Sequence, residues 1–148
     1  MPIPEFEENG LLPFGIHQCT LDDLESRFGC FQSSDRRPLL MQRLKSFLTE
    51  VRAAHVVRAI VVNGSFVTTV AAPNDLDILL VLPQGHDFRA DLTPSQYLVV
   101  DRRRVRRVYG LDAFVVEDDS TDFAALVRLF HRVRLKPFLK KGILRIEL

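Results

Sequence analysis

Two aspartates separated by a single residue are the side chains of this sequence best placed to do chemistry. Asp75 and Asp77 flank Leu76 at the start of an apolar run that ends at Leu82. Side chains two positions apart on a strand point to the same face of a sheet, so the two carboxylates are expected to lie side by side. A carboxylate pair of this kind binds a hard cation such as Mg²⁺ (or Mn²⁺).

A simpler explanation needs no metal, since aspartate is common where a turn leads into a strand. That explanation accounts for one of the two residues. It accounts less well for both on one face, because neighbouring like charges repel unless a cation lies between them. The pattern therefore favours a metal site at Asp75 and Asp77.

A Gly-Ser pair precedes the aspartates. Gly64 and Ser65 end an apolar run over residues 56–63, and nine residues separate Ser65 from Asp75. Glycine lets the backbone approach a ligand closely, and the amides of the following turn can face phosphate oxygens. Gly-Ser is also an ordinary turn, so its value as a phosphate-site signal depends on the aspartates that follow.

Gly64-Ser65 followed by Asp75-x-Asp77 resembles the signature of the nucleotidyltransferase superfamily, whose catalytic core is also seen in DNA polymerase beta, kanamycin nucleotidyltransferase and the small antitoxin-type nucleotidyltransferases. The resemblance implies that the Gly-Ser turn contacts a triphosphate and that the paired aspartates bind metal. It also implies a third carboxylate on a later strand.

Asp112 matches that third carboxylate by its order in the chain, and it opens an apolar run as Asp75 does. Alternation places Asp112 and Glu117 on opposite faces of a strand, so only one of them can join the pair, and we select Asp112. The residues that the resemblance assigns to catalysis and metal binding are Asp75, Asp77 and Asp112, and those that it assigns to the nucleotide are Gly64 and Ser65.

The activity that the resemblance implies is transfer of a nucleoside monophosphate, with Mg²⁺ (or Mn²⁺), from ATP or another nucleoside triphosphate to a hydroxyl of an RNA or a protein. A narrower resemblance covers nearly the whole chain and is to a family of small, mostly uncharacterised bacterial nucleotidyltransferase-like proteins. The segments that carry it are Leu12-Pro13-x-Gly15-Ile16-His17, Asn63-Gly64-Ser65-Phe66-Val67-Thr68 and Lys141-Gly142-Ile143-Leu144-Arg145-Ile146-Glu147-Leu148.

Alternating helix and strand signals predict an α/β (α+β) fold, in which a mixed β-sheet is packed by helices in a single domain over residues 1–148. Residues 1–16 are expected to form an extended N-terminal arm. Thr20 with Asp23 predicts a capping box, and Ser33-Ser34-Asp35 offers caps for the next helix. The predicted helices are 20–29, 35–55, 95–109 and 121–134, and the predicted strands are 56–63, 76–82, 112–117 and 143–148. The last strand is expected at a sheet edge.

Composition is that of an ordinary globular protein, with 148 residues, 47% hydrophobic and 26% charged residues, and a net charge of +1. No apolar run is long enough to span a membrane and the N-terminus has no secretory pattern, so we expect a cytoplasmic protein that does not contact membranes. Cys19 and Cys30 are the only cysteines, and we expect free thiols.

Five arginines occupy six positions from Arg102 to Arg107. Such a run is often only a solvated helix face. Alternatively, the guanidinium groups contact a triphosphate or an RNA backbone, for which their forked donors are suited. No aromatic residues alternate with them, so stacking of bases is not indicated.

Two features depart from the superfamily pattern. Residues 66–70 are rich in β-branched types and start a helix poorly, and no additional domain to bind an acceptor is evident. An enzyme of this size then needs a partner protein, a homodimer or a macromolecular acceptor to complete its site. The alternative function is a non-catalytic nucleotide- or partner-binding regulator, such as a toxin–antitoxin or phage-defence component. A third candidate is an RNA-binding domain that uses the arginine run.

Overall fold

A five-stranded mixed sheet forms the centre of the protein in the computed structural model, which describes residues 3–30, 35–133 and 136–148. The strands are β1 (Ile16–Gln18), β2 (Ala59–Asn63), β3 (Asp77–Leu82), β4 (Asp112–Glu117) and β5 (Ile143–Glu147). Their order across the sheet is β1-β5-β2-β3-β4. Strand β2 is antiparallel to both of its neighbours, whereas β1 pairs with β5, and β3 with β4, in parallel. The predicted class, a mixed sheet packed by helices, is confirmed.

The C-terminal strand lies inside the sheet, so the prediction of an edge position is wrong. Strand β5 pairs with β2 on one side and with β1 on the other. A strand of three residues such as β1 is too short to show a period-2 pattern, and for that reason the sequence did not reveal it. The predicted arm therefore ends in the sheet at Ile16, and it buries Ile3 and Leu12 in the core.

Within the described residues, five α-helices pack around the sheet, and local capping defines several of their ends. They are α1 (Leu21–Leu24), α2 (Arg36–Ala54), α3 (Pro94–Val100), α4 (Arg102–Tyr109) and α5 (Thr121–His131). A π-helical turn, Glu25–Gly29, continues α1. The predicted capping box of Thr20 with Asp23 is present. Of the predicted caps of α2, Ser33 and Ser34 lie outside the described residues, and the Asp35 side chain makes no capping hydrogen bond.

The predicted helix over 95–109 is two helices that meet at Asp101. The backbone of Asp101 is extended, and its carboxylate accepts a hydrogen bond from the Arg104 amide at 3.2 Å, which makes it the N-cap of α4. An aspartate in this role competes with helix continuation through its own local hydrogen bond. Helix α4 lies beside β4, where Arg106 pairs with Asp112 and Arg102 lies over the Phe114 ring.

The sheet is covered on both faces, as the apolar character of its central strands indicates. One face, which includes Ile60, Val62 and Leu80, packs against α2 and its neighbours in the larger core. The other face, which includes Val61 and Leu79, packs against α5 in a smaller core. Because α5 is short, one end of this second face carries polar side chains instead.

Arg37 connects α2 to the segment that follows the Gly-Ser turn. Its side chain is completely buried. The guanidinium donates hydrogen bonds to the backbone carbonyls of Phe28, Phe66, Thr68 and Val70, at 3.2, 2.6, 2.8 and 2.5 Å. Residues 65–67 form a single 3₁₀ turn rather than a helix. Thus Arg37 satisfies carbonyls that a helix would have satisfied internally.

Candidate active site

Three polar residues lie at the same level on three adjacent strands. Asn63, the last residue of β2, pairs with Asp77, the first residue of β3, and Asp77 pairs with Asp112, the first residue of β4. Directly paired residues on neighbouring strands point to the same face. By alternation from Val61 and Leu79, that face is the one that α5 covers elsewhere. The register therefore brings the predicted Asp77 and Asp112 together, with Asn63 beside them.

Asp75 lies just before β3 rather than in it, and it is anchored to the Gly-Ser turn. Its Oδ1 accepts hydrogen bonds from the Ser65 amide at 2.9 Å and from the Ser65 hydroxyl at 2.5 Å. The donors that were expected to face phosphate are thus directed at Asp75 in this structure. The predicted turn and the predicted carboxylate form one unit.

Gly64 is required by the close approach of two backbone segments. Its φ is +103°, and a Cβ built there would lie 2.8 Å from the backbone oxygen of Asp75. A side chain at this position would both strain the backbone and collide with the residue that it must hold. The value of Gly64 here is that it lets Ser65 reach Asp75.

Lys141 is a member of the site that the sequence did not identify. It lies two residues before β5 and is half-buried. Its ammonium group interacts electrostatically with the carboxylates of Asp75 and Asp77. Burial lowers the pKa of Lys141, and the two carboxylates oppose that shift. Its amide donates to the His131 carbonyl at 2.9 Å. The available signal was the Lys141-Gly142 pair directly before the last strand.

Gly142 explains why Lys141 lies where it does. A Cβ at Gly142 would lie 2.1 Å from the Pro13 carbonyl oxygen, and the Gly142 amide donates to the Leu12 carbonyl at 2.9 Å. The arm therefore crosses directly over this glycine. Lys141 is consequently held between the arm, α5 and the carboxylates.

The carboxylates differ in their electrostatic state. Burial, followed by the charges of Asp75 and Asp112, raises the pKa of Asp77 to about 6, with Lys141 and Arg106 opposing. For Asp75, burial acts to raise the pKa, but the Ser65 hydroxyl and amide and then Lys141 outweigh it, so that the pKa is lowered. Asp77 is therefore the carboxylate with the least compensation, as expected at the centre of a group of like charges.

Asp112 is paired with the arginine run. Arg106 lies 2.7 Å from its Oδ2. A cleft of about 540 Å³ opens beside it and is lined by Arg102, Arg103, Arg106, Arg107 and Asp112; we call it the basic cleft. Arg104 points elsewhere, since its guanidinium binds Glu50 at 2.5 and 3.2 Å. The arginine run therefore divides into one structural residue and four that share an exposed face.

The donor set has the chemistry that a hard cation requires, with the carboxylates held apart by other partners. Asp75 Oδ1 accepts hydrogen bonds from Ser65, and Asp112 forms an ion pair with Arg106. Across residues 3–30, 35–133 and 136–148, no group of three His, Cys, Asp or Glu side chains is positioned to hold a metal ion. Asn63 Oδ1, however, is buried and has no hydrogen-bond partner among the described residues, and an unpaired buried oxygen beside Asp77 is a feature that a ligand would satisfy. The residues fit a cation by type, and Asp75 and Asp112 must exchange partners to converge on one.

Cys19 and Cys30 are free thiols, the first buried and the second exposed. Within the described part of the chain, no helix has the length and apolarity to cross a membrane.

Comparison with protein families gives one assignment. The profile of a family of unknown function (DUF6932) matches residues 4–147, so the chain belongs to this family. Comparisons with curated proteins and with solved structures give no significant match.

Proposed function

We propose that this member of a family of unknown function is a metal-dependent nucleotidyltransferase. It transfers a nucleoside monophosphate from ATP or another nucleoside triphosphate to a hydroxyl of an RNA or a protein. The observation that carries the proposal is the direct pairing of Asn63, Asp77 and Asp112 across three adjacent strands. Asp75 lies just before Asp77 and is held by its hydrogen bonds with Ser65. A cytoplasmic location and a partner protein or homodimer belong to the proposal.

Each residue has a distinct role in this proposal. Asp75 and Asp77 hold Mg²⁺ (or Mn²⁺), and Asp112 completes the set of carboxylates. When bound, the cation supplies charge neutralisation for the phosphates and polarises them toward attack. Asp112, on the outer side of the row, accepts the proton of the acceptor hydroxyl. The acceptor oxygen forms a bond to the α-phosphorus, the bond from that phosphorus to the bridging oxygen breaks, and pyrophosphate leaves.

The Ser65–Asp75 contact suggests how substrate binding prepares the site. The Ser65 hydroxyl and amide donate to Asp75 Oδ1, and the same donors can turn to a phosphate oxygen. That exchange would free the Asp75 carboxylate to help hold a cation. Lys141 keeps a positive charge near Asp75 and Asp77 before the substrate arrives.

The test incubates the protein with each α-labelled nucleoside triphosphate, Mg²⁺ and a cell extract. We expect the wild-type protein to transfer label, and the Asp75→Ala/Asp77→Ala variant to lose at least about 100-fold of that activity, since it lacks both of the inner carboxylates. The matched control is Asp91→Ala/Asp122→Ala, which removes two exposed carboxylates elsewhere in the chain. Equal labelling by the Asp75→Ala/Asp77→Ala variant would exclude the metal site.

The alternative function is a non-catalytic regulator of the same fold, such as a toxin–antitoxin or phage-defence component. The observation that favours it is the 2.7 Å ion pair between Asp112 and Arg106, which takes up the carboxylate that transfer requires. Nucleotide binding to the wild-type protein without any transfer of label to the extract would select this alternative.

A further inference from the structure

The basic cleft lies beside the row of carboxylates that Asp77 and Asp112 form at one end of the sheet, and Asp112 lines it. Of the described residues, four arginines and one carboxylate, that of Asp112, line it. All four arginines are exposed. The concentration of one sign of charge contrasts with the chain as a whole, whose net charge is only +1.

Two of these arginines have no ion-pair partner in the part of the chain that the structure describes. Arg106 pairs with Asp112, and the Arg102 guanidinium lies 4.0 Å from the centroid of the Phe114 ring. Arg103 and Arg107 make no ion pair and no side-chain hydrogen bond within residues 3–30, 35–133 and 136–148. Their ten N–H donors, five on each side chain, are therefore available to a ligand.

The arrangement opposes the stability of the helix that carries it. Arg102 with Arg106, and Arg103 with Arg107, are like-charged pairs four positions apart, which destabilise a helix. The Asp101 carboxylate caps the N-terminus of α4, but the first turn begins with two arginines and contains no acidic residue, although cations are unfavourable at a helix N-terminus. An anion bound in the cleft would reduce both repulsive effects. The charge pattern therefore favours binding of an anion over the stability of the unliganded helix.

The position of the cleft indicates which anion. Ser65 follows β2 and Asp112 begins β4, so the Gly-Ser turn and the basic cleft flank the row of carboxylates on opposite sides of β3. If the triphosphate lies at Ser65, the cleft lies on the side of the acceptor. The guanidinium group of an arginine can donate two parallel hydrogen bonds to the oxygens of one phosphate.

We propose that Arg102, Arg103, Arg106 and Arg107 bind the phosphodiester backbone of a nucleic-acid strand and direct a hydroxyl of that strand toward Asp112. This inference rests on the proposed function for the role of the strand as acceptor, and it deepens that function by selecting a nucleic acid over a protein. The contacts are to phosphates, so binding is independent of sequence and sensitive to salt.

The test measures fluorescence anisotropy of labelled single-stranded RNA and DNA of about 20 nucleotides, without nucleotide or Mg²⁺, at about 50 and about 200 mM salt. Arg103→Ala/Arg107→Ala changes only the two arginines without partners, so the fold is expected to be kept. The matched control, Arg52→Ala/Arg89→Ala, removes two exposed arginines elsewhere and the same charge. We expect binding to weaken about tenfold in the first variant alone, and the salt slope to fall by about 1 to 1.5.

Unchanged affinity in Arg103→Ala/Arg107→Ala, or an equal loss in the control, would overturn the proposal. Loss of ATP binding with oligonucleotide binding kept would also overturn it, because the cleft would then be a triphosphate site. Comparing RNA with DNA identifies the source of the phosphates. The Asp75→Ala/Asp77→Ala variant separates this inference from the proposed function: it should bind oligonucleotide as the wild-type protein does, even if no transfer is ever found.

Discussion

At the scale of single residues, the candidate site is a group of like charges that the protein leaves only partly compensated. Asp75 is compensated by Ser65 and Asp112 by Arg106. Asp77, between them, is compensated least: burial and the charges of Asp75 and Asp112 outweigh Lys141 and Arg106, and its pKa is raised to about 6. A protein that keeps such a residue gives up stability at neutral pH, which is characteristic of functional positions.

Replacing Asp77 should therefore stabilise the metal-free protein. The folded pKa lies above the ordinary value of 3.8, so the folded state binds more protons than the unfolded state between about pH 4 and pH 6, and Asp77 lowers the free energy of unfolding as pH rises through that window. Allowing for solvent screening, we expect Asp77→Asn to raise the free energy of unfolding by about 1–2 kcal/mol at pH 7.5.

Urea unfolding in the presence of a chelator measures this effect, and the gain should vanish below about pH 4. Asp75→Asn is the matched control with the opposite sign, because the pKa of Asp75 is lowered. Loss of stability in Asp77→Asn at pH 7.5 would contradict the assignment of Asp77 as the uncompensated carboxylate.

At the scale of elements, a buried arginine determines how the Gly-Ser turn is presented. Arg37 on α2 donates hydrogen bonds to the carbonyls of Phe66 and Thr68, just beyond the turn, and to that of Phe28. Burial lowers the pKa of Arg37, and the carbonyls compensate for part of that cost. The β-branched segment that starts a helix poorly is thus stabilised by a neighbouring helix.

Removing this guanidinium should be severe. Arg37→Met keeps much of the side-chain volume but leaves several carbonyls without a donor, and we expect a loss of about 3–5 kcal/mol in the free energy of unfolding. Lys45→Met is the control on the same helix, because its exposed ion pair with Glu25 contributes little. Equal midpoints of chemical denaturation for the two variants would show that Arg37 does not hold the turn.

At the scale of the whole molecule, the two ends of the sheet face covered by α5 differ in electrostatic character. One end carries the row of carboxylates. At the other end Arg145 on β5 binds Asp118 after β4 at 3.1 Å through two nitrogens, and Arg58 lies 3.8 Å from the same carboxylate. This pair is largely buried, with 11% and 14% of the two side chains exposed, and it joins the two outer parts of the sheet.

That pair should contribute to the pH dependence of stability. The Arg145 hydrogen bonds lower the pKa of Asp118 despite burial, so the unfolded state takes up a proton first as pH falls. Ionised Asp118 therefore contributes fully to the free energy of unfolding above the ordinary pKa of aspartate. This contribution is lost as pH falls through the lower pKa of Asp118 in the folded state. We expect Asp118→Asn to reduce the free energy of unfolding by about 1–3 kcal/mol at pH 7.

Thermal or urea unfolding from pH 7 to pH 2 measures the difference, which should shrink at the acid end. Asp119→Asn is the control, since Asp119 is an exposed neighbour with a φ of +55° that asparagine tolerates. A difference that persists unchanged at pH 2 would contradict an ionic origin.

Local sequence patterns were sufficient to predict several helices and strands of this protein. Apolar periodicity predicted β2, β3, β4 and most of the helices, and the capping box at Thr20 is present as expected. The expectation that Asp112 joins the other aspartates came from its order in the chain and from apolar runs that each open with an aspartate, whereas its pairing with Asp77 depends on strand order. These predictions succeed because strand alternation and helix caps are decided by residues close together in the chain.

Only the tertiary structure decided which distant groups meet. Strand order placed β5 inside the sheet, the close packing at Gly142 brought Lys141 to the carboxylates, and the break at Asp101 turned four arginines toward Asp112 while Arg104 went to Glu50. None of these has a local signature, because each depends on the free energy of burying a sheet on two faces and on the backbone approaches that this burial requires. Periodicity specifies which way a side chain faces, whereas the packing of the whole chain specifies what it faces.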